Sequence, residues 1–385
     1  MRVVLSTNST DRGGTSRTLE AWTRLLPREG VTPIVTVGGP GPLLTALQGA
    51  KVPVSIHSLR VSPRKSWPFP FAASVLKLAR TIRSNRASVL HVNEHDSHPV
   101  AVHAARLAGV PIVTHLRFRP SAEYCQWLFR RGRVPDRLLF TSRTQMADSA
   151  EALRPVVPEA RWRLVPNGLD FTAFQDRQIH RNELRAHWGL KPGSIALGIA
   201  CVISPRKRVD HFIRLVAGLR DAGIAACGFV AGRGREHFAE DEQVIRDLHQ
   251  LATSLRVGDH VRFLGYVEPA APLYSAWDLC VSTSEYETFG MTVLEAMACA
   301  CAVVTYPGGS VAEIVGGAAS VVPDGDEAAL LRECVRLSRD PAARRDLGAR
   351  GRHHAESTYD IGKIVPLLAA EYRLLVGNLQ SVGAC

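Results

Sequence analysis

The chain has 385 residues and a formal net charge of +11. At about 150 residues per domain this length holds two or three domains, each able to bury a core without disulfide or metal staples. Hydrophobic residues make up 46% and charged residues 22%, which excludes a disordered chain, and no uncharged apolar run approaches the ~18 residues of a membrane span.

The first residues, Met1-Arg2-Val3-Val4-Leu5-Ser6-Thr7, read as a short strand entering a polar loop and lack the apolar stretch of a secretory leader. A cytoplasmic location is expected, with peripheral attachment to the cytoplasmic face of a membrane compatible with it. Gly13-Gly14 lie in the loop after this strand, and 15–26 reads as a helix. A strand follows at 32–37, a helix at 43–48, a strand at 52–59, a helix at 72–83 and a strand at 89–92. The next helix, 100–108, stops at Gly109, and strands follow at 111–115, 137–140 and 164–165.

The pattern restarts at 195–202, an apolar run suited to a buried parallel strand. Helices are expected at 210–223, 241–255 and 291–299, strands at 227–231, 261–264, 279–282 and 302–305, and a last helix at 361–376. The polar segment 171–193, ending Lys191-Pro192-Gly193, reads as a linker. Strands alternating with helices of this length form βαβ units and parallel sheets. The expected fold is α/β with two Rossmann-like doubly wound domains, 1–185 and 186–360, and a segment 361–385 whose helix crosses back to the first. Ligands of such sheets bind beyond the carboxyl ends of the strands, here in an expected interdomain cleft.

The charge is uneven. Residues 1–185 carry 27 Lys+Arg against 13 Asp+Glu, a balance of +14, while 186–385 carry 20 against 23, or −3. A basic half suits an anionic partner such as phospholipid, nucleic acid or a phosphorylated acceptor. Arginines outnumber lysines 41 to 6, so a coding bias accounts for the excess equally well. Aromatic residues are only 6% and no basic stripe interleaves with them, which argues against nucleic acid. Cys125, Cys201, Cys227, Cys280 and Cys334 are scattered, and Cys299 and Cys301 lack a second Cys/His pair at zinc spacing, so reduced thiols and no metal site are expected.

The most informative segment runs from Ser284 to Ala298. A strand ends near Ser282, a loop presents Glu285 and Glu287, and Gly290 opens a helix. Free N–H groups at a helix start attract phosphate, and glycine lets a ligand approach the backbone. Glu295 follows within apolar neighbours, and its spacing alone favours a solvated carboxylate.

Glu287 and Glu295, with seven residues between them and Phe289-Gly290 inside the interval, resemble the signature of retaining glycosyltransferase family 4, whose fold is GT-B. Four further segments are similar to the family in order and spacing: Val165–Asp170, Phe263–Val267, Ala276–Leu279 and Gly308–Glu313. The resemblance implies that Glu295 binds ribose hydroxyls and Glu287 the donor sugar. It implies that the backbone of Phe289, Gly290 and Met291 holds sugar and phosphate, and that Val267 borders the nucleobase. Lys207 matches the lysine that stabilises the leaving diphosphate, and Gly13 and Gly14 match the glycine loop of the first domain.

The chain departs from the pattern in places. The usual arginine five residues before the lysine is Val202 here, with Arg206 or Arg208 as substitutes. The usual Gly-Asp-Gly is Gly232-Arg233-Gly234, and the Gly-x-Pro after the motif helix is Ala300-Cys301-Ala302. Arg117 stands where many relatives carry an acceptor-side histidine, so His115 and Arg117, with Asn93 and His95, are the expected acceptor contacts. The cluster His91, Asn93, Glu94, His95, Asp96 and His98 also has the residue types of a metal site, which the family does not need.

The resemblance thus implies metal-independent, retaining transfer of a sugar, UDP-linked in preference to GDP-linked, to a hydroxyl acceptor. A same-face mechanism without a cofactor is expected. The expected acceptor is a lipid-linked saccharide or a small molecule, in polysaccharide, glycolipid or natural-product glycoside synthesis. Two other classes fit the scaffold or the charge: a sugar-nucleotide epimerase or disaccharide phosphorylase, and a non-enzymatic basic protein of the membrane surface.

Overall fold

The computed structural model describes residues 1–59, 68–130, 132–174, 177–235 and 238–382. Its contacts divide into two units: Met1–Leu169 with the chain from Ile361 onward, and Asp170–Asp360. In the first unit the strands are β1 (Arg2–Ser6), β2 (Thr32–Val37), β3 (Val54–Ile56), β4 (Val89–Val92), β5 (Ile112–His115), β6 (Arg137–Phe140) and β7 (Trp162–Leu164). They form one sheet in the order β3-β2-β1-β4-β5-β6-β7. The second unit has β8 (Ile195–Ala200), β9 (Ala226–Ala231), β10 (Val261–Gly265), β11 (Leu279–Ser282), β12 (Ala302–Thr305) and β13 (Ser320–Val321), in the order β10-β9-β8-β11-β12-β13. Pairings among the described strands are parallel, as in β1–β4 and β8–β11. Each sheet therefore reverses its winding beside its first strand, the point where doubly wound sheets bind ligands.

Helices cover both faces of each sheet because the central strands are apolar on both sides. In the first unit, Leu19, Trp22 and Leu26 share one core with Ile361, Ile364, Leu368 and Tyr372. Leu78, Ile82, Val100 and Ala104 fill the other face. Gly168 is glycine because the final helix starts on top of it: a Cβ there would lie 2.8 Å from Ile361 Cα. In the second unit, Phe212, Val216 and Leu219 pack on Leu197, Val230 and Val281. Gly198 in β8 lies under Trp277, whose ring carbons would sit 1.9–2.2 Å from an added Cβ. Gly198→Ala is expected to destabilise this unit by about 3 kcal/mol, the upper end for overpacking. Urea unfolding checks this, and an unchanged midpoint contradicts it.

Two expectations are corrected. The polar segment 171–193 is not a linker, because it contains the helix Arg177–His187, packed on the helix Ala271–Ala276. Its polarity includes two arginines that hold a buried carboxylate. Arg181 Nη2 donates to Asp278 Oδ1 at 2.6 Å and Arg185 Nη1 to Asp278 Oδ2 at 2.9 Å. The division of the chain consequently falls after Leu169, and residue 185 lies inside a helix of the second unit. The last helix runs over Ile361–Val382, longer than the periodicity indicates, and the final three residues of the expected 361–385 segment lie outside the described residues. Among the described residues, no helix is long and apolar enough to cross a membrane.

Candidate active site

The carboxyl ends of the second sheet's strands carry loops that are bonded to one another. After β8 a single 3-10 turn, Pro205–Lys207, leads to Arg208. From the end of β11, Thr283 Oγ1 donates to the carbonyls of Lys207 and Arg208 at 2.7 and 2.8 Å. The Glu285 N–H donates to the Arg206 carbonyl at 2.9 Å. The loop after β12 closes from the other side, with Glu287 N–H on Gly308 O at 3.2 Å and Ser310 N–H on Glu287 O at 2.8 Å. Gly308 and Gly309 are required here, since a Cβ would lie 2.3 Å from Ser284 O and 2.5 Å from Glu287 O respectively. After β9, Gly232 holds φ +144°, and a Cβ would fall on the Cys201 carbonyl oxygen at 1.8 Å.

This backbone frame aims three side chains. The Lys207 ammonium, on a residue only 8% exposed, donates to Glu287 Oε1. Gly290 adopts φ +93°, a left-handed value that glycine accommodates, and caps the helix Met291–Ala298. The first amides of that helix lack intrahelical partners and carry the positive end of its dipole. Phe289 anchors the turn by burying its ring edge-on to Tyr359, 5.5 Å between centroids. One turn into the helix, Glu295 is 1% exposed, and the Tyr274 hydroxyl donates to its Oε2 at 3.0 Å. The solvated carboxylate that spacing alone favours is thus corrected, since burial and Tyr274 fix Glu295. Arg206 is exposed, Val267 is half-buried, and Arg233 lies over the Tyr266 ring at 5.4 Å. A cation, a helix start and two held carboxylates form an arrangement that takes a polyol linked to an anion.

The first sheet has its own polar end. Gly13 caps the helix Gly14–Leu25 after β1, which begins one residue earlier than the sequence indicates and takes in Gly14. Arg117 donates from Nε to the Asn93 carbonyl at 2.8 Å, from Nη2 to Asn93 Oδ1 at 2.8 Å, and from Nη1 to Asn167 Oδ1 at 2.7 Å. Asn93 Nδ2 donates to Glu94 Oε1 at 2.8 Å, and Thr7 Oγ1 to Glu94 Oε2 at 2.6 Å. Burial raises the Glu94 pKa, against the opposing effects of the Thr7 bond and the Arg117 charge.

Residues 12–173 match Glycosyltransferase Family 4, and residues 195–340 match Glycosyl transferases group 1. A D-inositol 3-phosphate glycosyltransferase of Catenulispora acidiphila is 30% identical, over 74% of this chain and 72% of its own. The lipopolysaccharide core biosynthesis mannosyltransferase LpcC of Rhizobium leguminosarum is 27% identical over 83% and 86%. The chain belongs to glycosyltransferase family 4. The crystal structure of Anabaena HepE, solved with UDP and glucose, superposes at a TM-score of 0.84 over 96% of this chain and 99% of that one, at 20% identity, which shows a shared GT-B fold. The protein is therefore a glycosyltransferase of polysaccharide or glycoconjugate biosynthesis.

In this glycosyltransferase the loops that carry Lys207 and Glu287 follow β8 and β11, which are neighbours at the centre of the second sheet. Lys207 and Glu287 touch, while Glu295 and Gly290 share one short helix. The acceptor-side set is different. His115 is fully buried and stacks against both Trp22 and His91 at 5.7 Å from each, in a cluster where those two rings also stack on one another at 5.4 Å. Burial, then the Arg117 charge, pushes its pKa well down, so it stays neutral. Asn93 is 1% exposed and its side chain is engaged by Arg117 and Glu94. These residues, expected to meet an acceptor, bond one another within the first unit, where Arg117 donates to Asn93 and its Nη2 lies 3.5 Å from His115 Nδ1. His95 stacks on Phe118 at 3.8 Å, with burial and then His98 lowering its pKa to about 4. Two histidines of the cluster are bonded inside the fold, His91 Nδ1 to the Tyr372 hydroxyl at 2.5 Å and His98 Nδ1 to Thr114 at 2.8 Å, while His91 Nε2 and His95 Nδ1 are buried without a partner among the described residues. Sequence reasoning missed Tyr274, Thr283 and Asn167 as supports. Their partners lie 21, 76 and 50 residues away, with no local signal.

Proposed function

We propose that the enzyme moves a sugar from a UDP-sugar, in preference to a GDP-sugar, to an acceptor hydroxyl with retention of configuration and without a metal ion or cofactor. The acceptor oxygen bonds to the anomeric carbon as the bond from that carbon to the β-phosphate oxygen breaks. The hydroxyl proton passes to the departing phosphate on the same face. Lys207 stabilises the charge that grows on the diphosphate, and the helix start at Gly290 receives its oxygens. Glu295 accepts the ribose hydroxyls and Glu287 those of the sugar.

The observation that carries this reading is the Lys207–Glu287 pair held beside the Met291–Ala298 helix start. An ammonium there supplies the cation that a divalent metal supplies elsewhere. The UDP and glucose bound by the similar HepE support the choice of nucleotide.

A ligand present at about 100 times its Kd stabilises by about 2.7 kcal/mol, roughly 5–10 °C for a unit of this size. UDP is expected to give such a shift, GDP and ADP a smaller one, and Glu295→Ala to remove most of it. A shift that is unchanged in Glu295→Ala, or larger with GDP, overturns the donor assignment. Product anomeric configuration by NMR, and turnover in excess EDTA, test retention and metal independence separately. Inverted product or chelator-abolished turnover sinks the corresponding claim.

A further inference from the structure

Independently of the donor reading, the helix Pro68–Ser84 of the first unit has two faces that differ in kind. Its inner face, Leu78, Ala79 and Ile82 with Phe71 and Val75 beside them, completes the core over β4. Its outer face carries Phe69, Ala72, Ala73, Leu76, Arg80 and Arg83, all exposed and all within one stripe at helical spacing. Phe69 is 78% and Leu76 59% exposed, among the most exposed large apolar side chains described. The stripe is apolar in its first half and cationic in its second.

The surroundings extend both properties. Lys77 donates to the Ile56 carbonyl at 2.9 Å, which places the exposed Ile56 beside the stripe. Arg83 donates to the carbonyl of Leu107, another exposed apolar residue. Between Glu29 and Glu94 the sequence has no aspartate or glutamate and eight lysines and arginines. A protruding aromatic and a leucine, beside cations in a stretch of 64 residues without an acid, match what an anionic bilayer presents: an apolar interior under a negative surface. A phosphodiester strand has no use for the apolar half.

We propose that this outer face docks the enzyme on an anionic lipid bilayer, with Phe69 and Leu76 entering the headgroup boundary and Arg80 and Arg83 meeting lipid phosphates. The full chain is mixed with vesicles of phosphatidylcholine alone, or of phosphatidylcholine with roughly one third phosphatidylglycerol, and sedimented. The parent is expected to sediment with the anionic vesicles only, and less as salt rises. Arg80→Ala is expected to lower the partition about fivefold, the worth of one arginine near a charged surface. Phe69→Ser/Leu76→Ser is expected to lower it roughly tenfold or more. Both changes are on exposed positions, so thermal unfolding curves matching the parent are required of each.

Equal binding to neutral vesicles, no binding to anionic ones, or binding that survives the Phe69→Ser/Leu76→Ser change overturns the proposal. So does capture of a single-stranded RNA, with no vesicle binding, that both variants abolish. That outcome assigns the face to nucleic acid.

Discussion

Lys207→Ala is expected to lower kcat/KM for sugar transfer by about 10²–10³-fold, the cost of removing one preorganised charge from a developing anion. The geometry separates this loss from unfolding. The turn Pro205–Lys207 is held through backbone carbonyls by Thr283 and through Arg206 O by the Glu285 N–H, none of which uses the lysine side chain. The unfolding midpoint should therefore stay close to that of the parent. Without the ammonium, Glu287 loses its direct partner and opposes the diphosphate, so part of the loss belongs to the carboxylate left behind. Lys207→Ala/Glu287→Gln is accordingly expected to lose less than the product of the two single losses. Steady-state kinetics of the four proteins decide this. Activity of Lys207→Ala within about threefold of the parent excludes a transition-state role for the lysine.

Asp278→Ala is expected to cost the second unit about 3 kcal/mol, the lower figure for breaking a buried ion pair because its partners are partly solvated. That corresponds to a fall of roughly 6–12 °C in Tm for a unit of this size. The Asp278 side chain is 5% exposed, whereas those of Arg181 and Arg185 are 28% and 17% exposed. It ties the helix Arg177–His187 to β8, where the Ala196 N–H donates to Oδ2 at 2.8 Å, and Arg344 approaches from a fourth element at 3.9 Å. Burial by itself would raise the Asp278 pKa. The guanidinium groups of Arg181 and Arg185 and the Ala196 N–H outweigh it and hold the pKa below the ordinary aspartate value. Because the folded pKa is depressed, its stabilisation is complete above the unfolded value of about 3.9 and is lost as pH falls through the folded one. Below that window parent and Asp278→Asn should converge in stability. Urea titrations at neutral and acid pH test this, and an Asp278→Ala midpoint matching the parent at neutral pH refutes it.

Much of this was legible in the chain. The β4, β6, β11 and β12 ranges coincide with the apolar runs expected, because a buried parallel strand writes itself as a short uninterrupted apolar segment. The loops carrying Lys207 and Glu287 were legible after the right strands, β8 and β11, and Glu295 falls inside the expected helix, Met291–Ala298. The helices Ala122–Phe129 and Arg143–Leu153 went unread although their caps are present: Ser121 accepts the Tyr124 N–H and Ser142 the Gln145 N–H. Ser142 and Gln145 even have the spacing of a capping box, but Gln145 turns inward to the Leu116 carbonyl. The internal bonding of Asn93 and Arg117 was hidden for a different reason. A polar residue after a strand looks the same whether it faces a ligand or a neighbour, and the partners of Arg117 stand 24 and 50 residues away. The helix Arg177–His187 was hidden because a charged face that clamps Asp278 reads, residue by residue, like solvent-facing loop.

The chain leaves the first unit after Leu169 and rejoins it at Ile361, whose N–H bonds the Leu169 carbonyl at 2.9 Å. Everything between belongs to the other sheet, so the order of synthesis and the order of completion differ. While the ribosome makes Asp170–Asp360, the seven-stranded sheet already exists as sequence, yet Trp22 and His91 lack the residues that cover them, Leu368 and Tyr372 among them. The second sheet has all its strands in one continuous stretch and can close as soon as that stretch emerges. Translation therefore begins with one unit but finishes the other first, and the half-made first sheet must keep an apolar face from wrong partners until the final helix arrives.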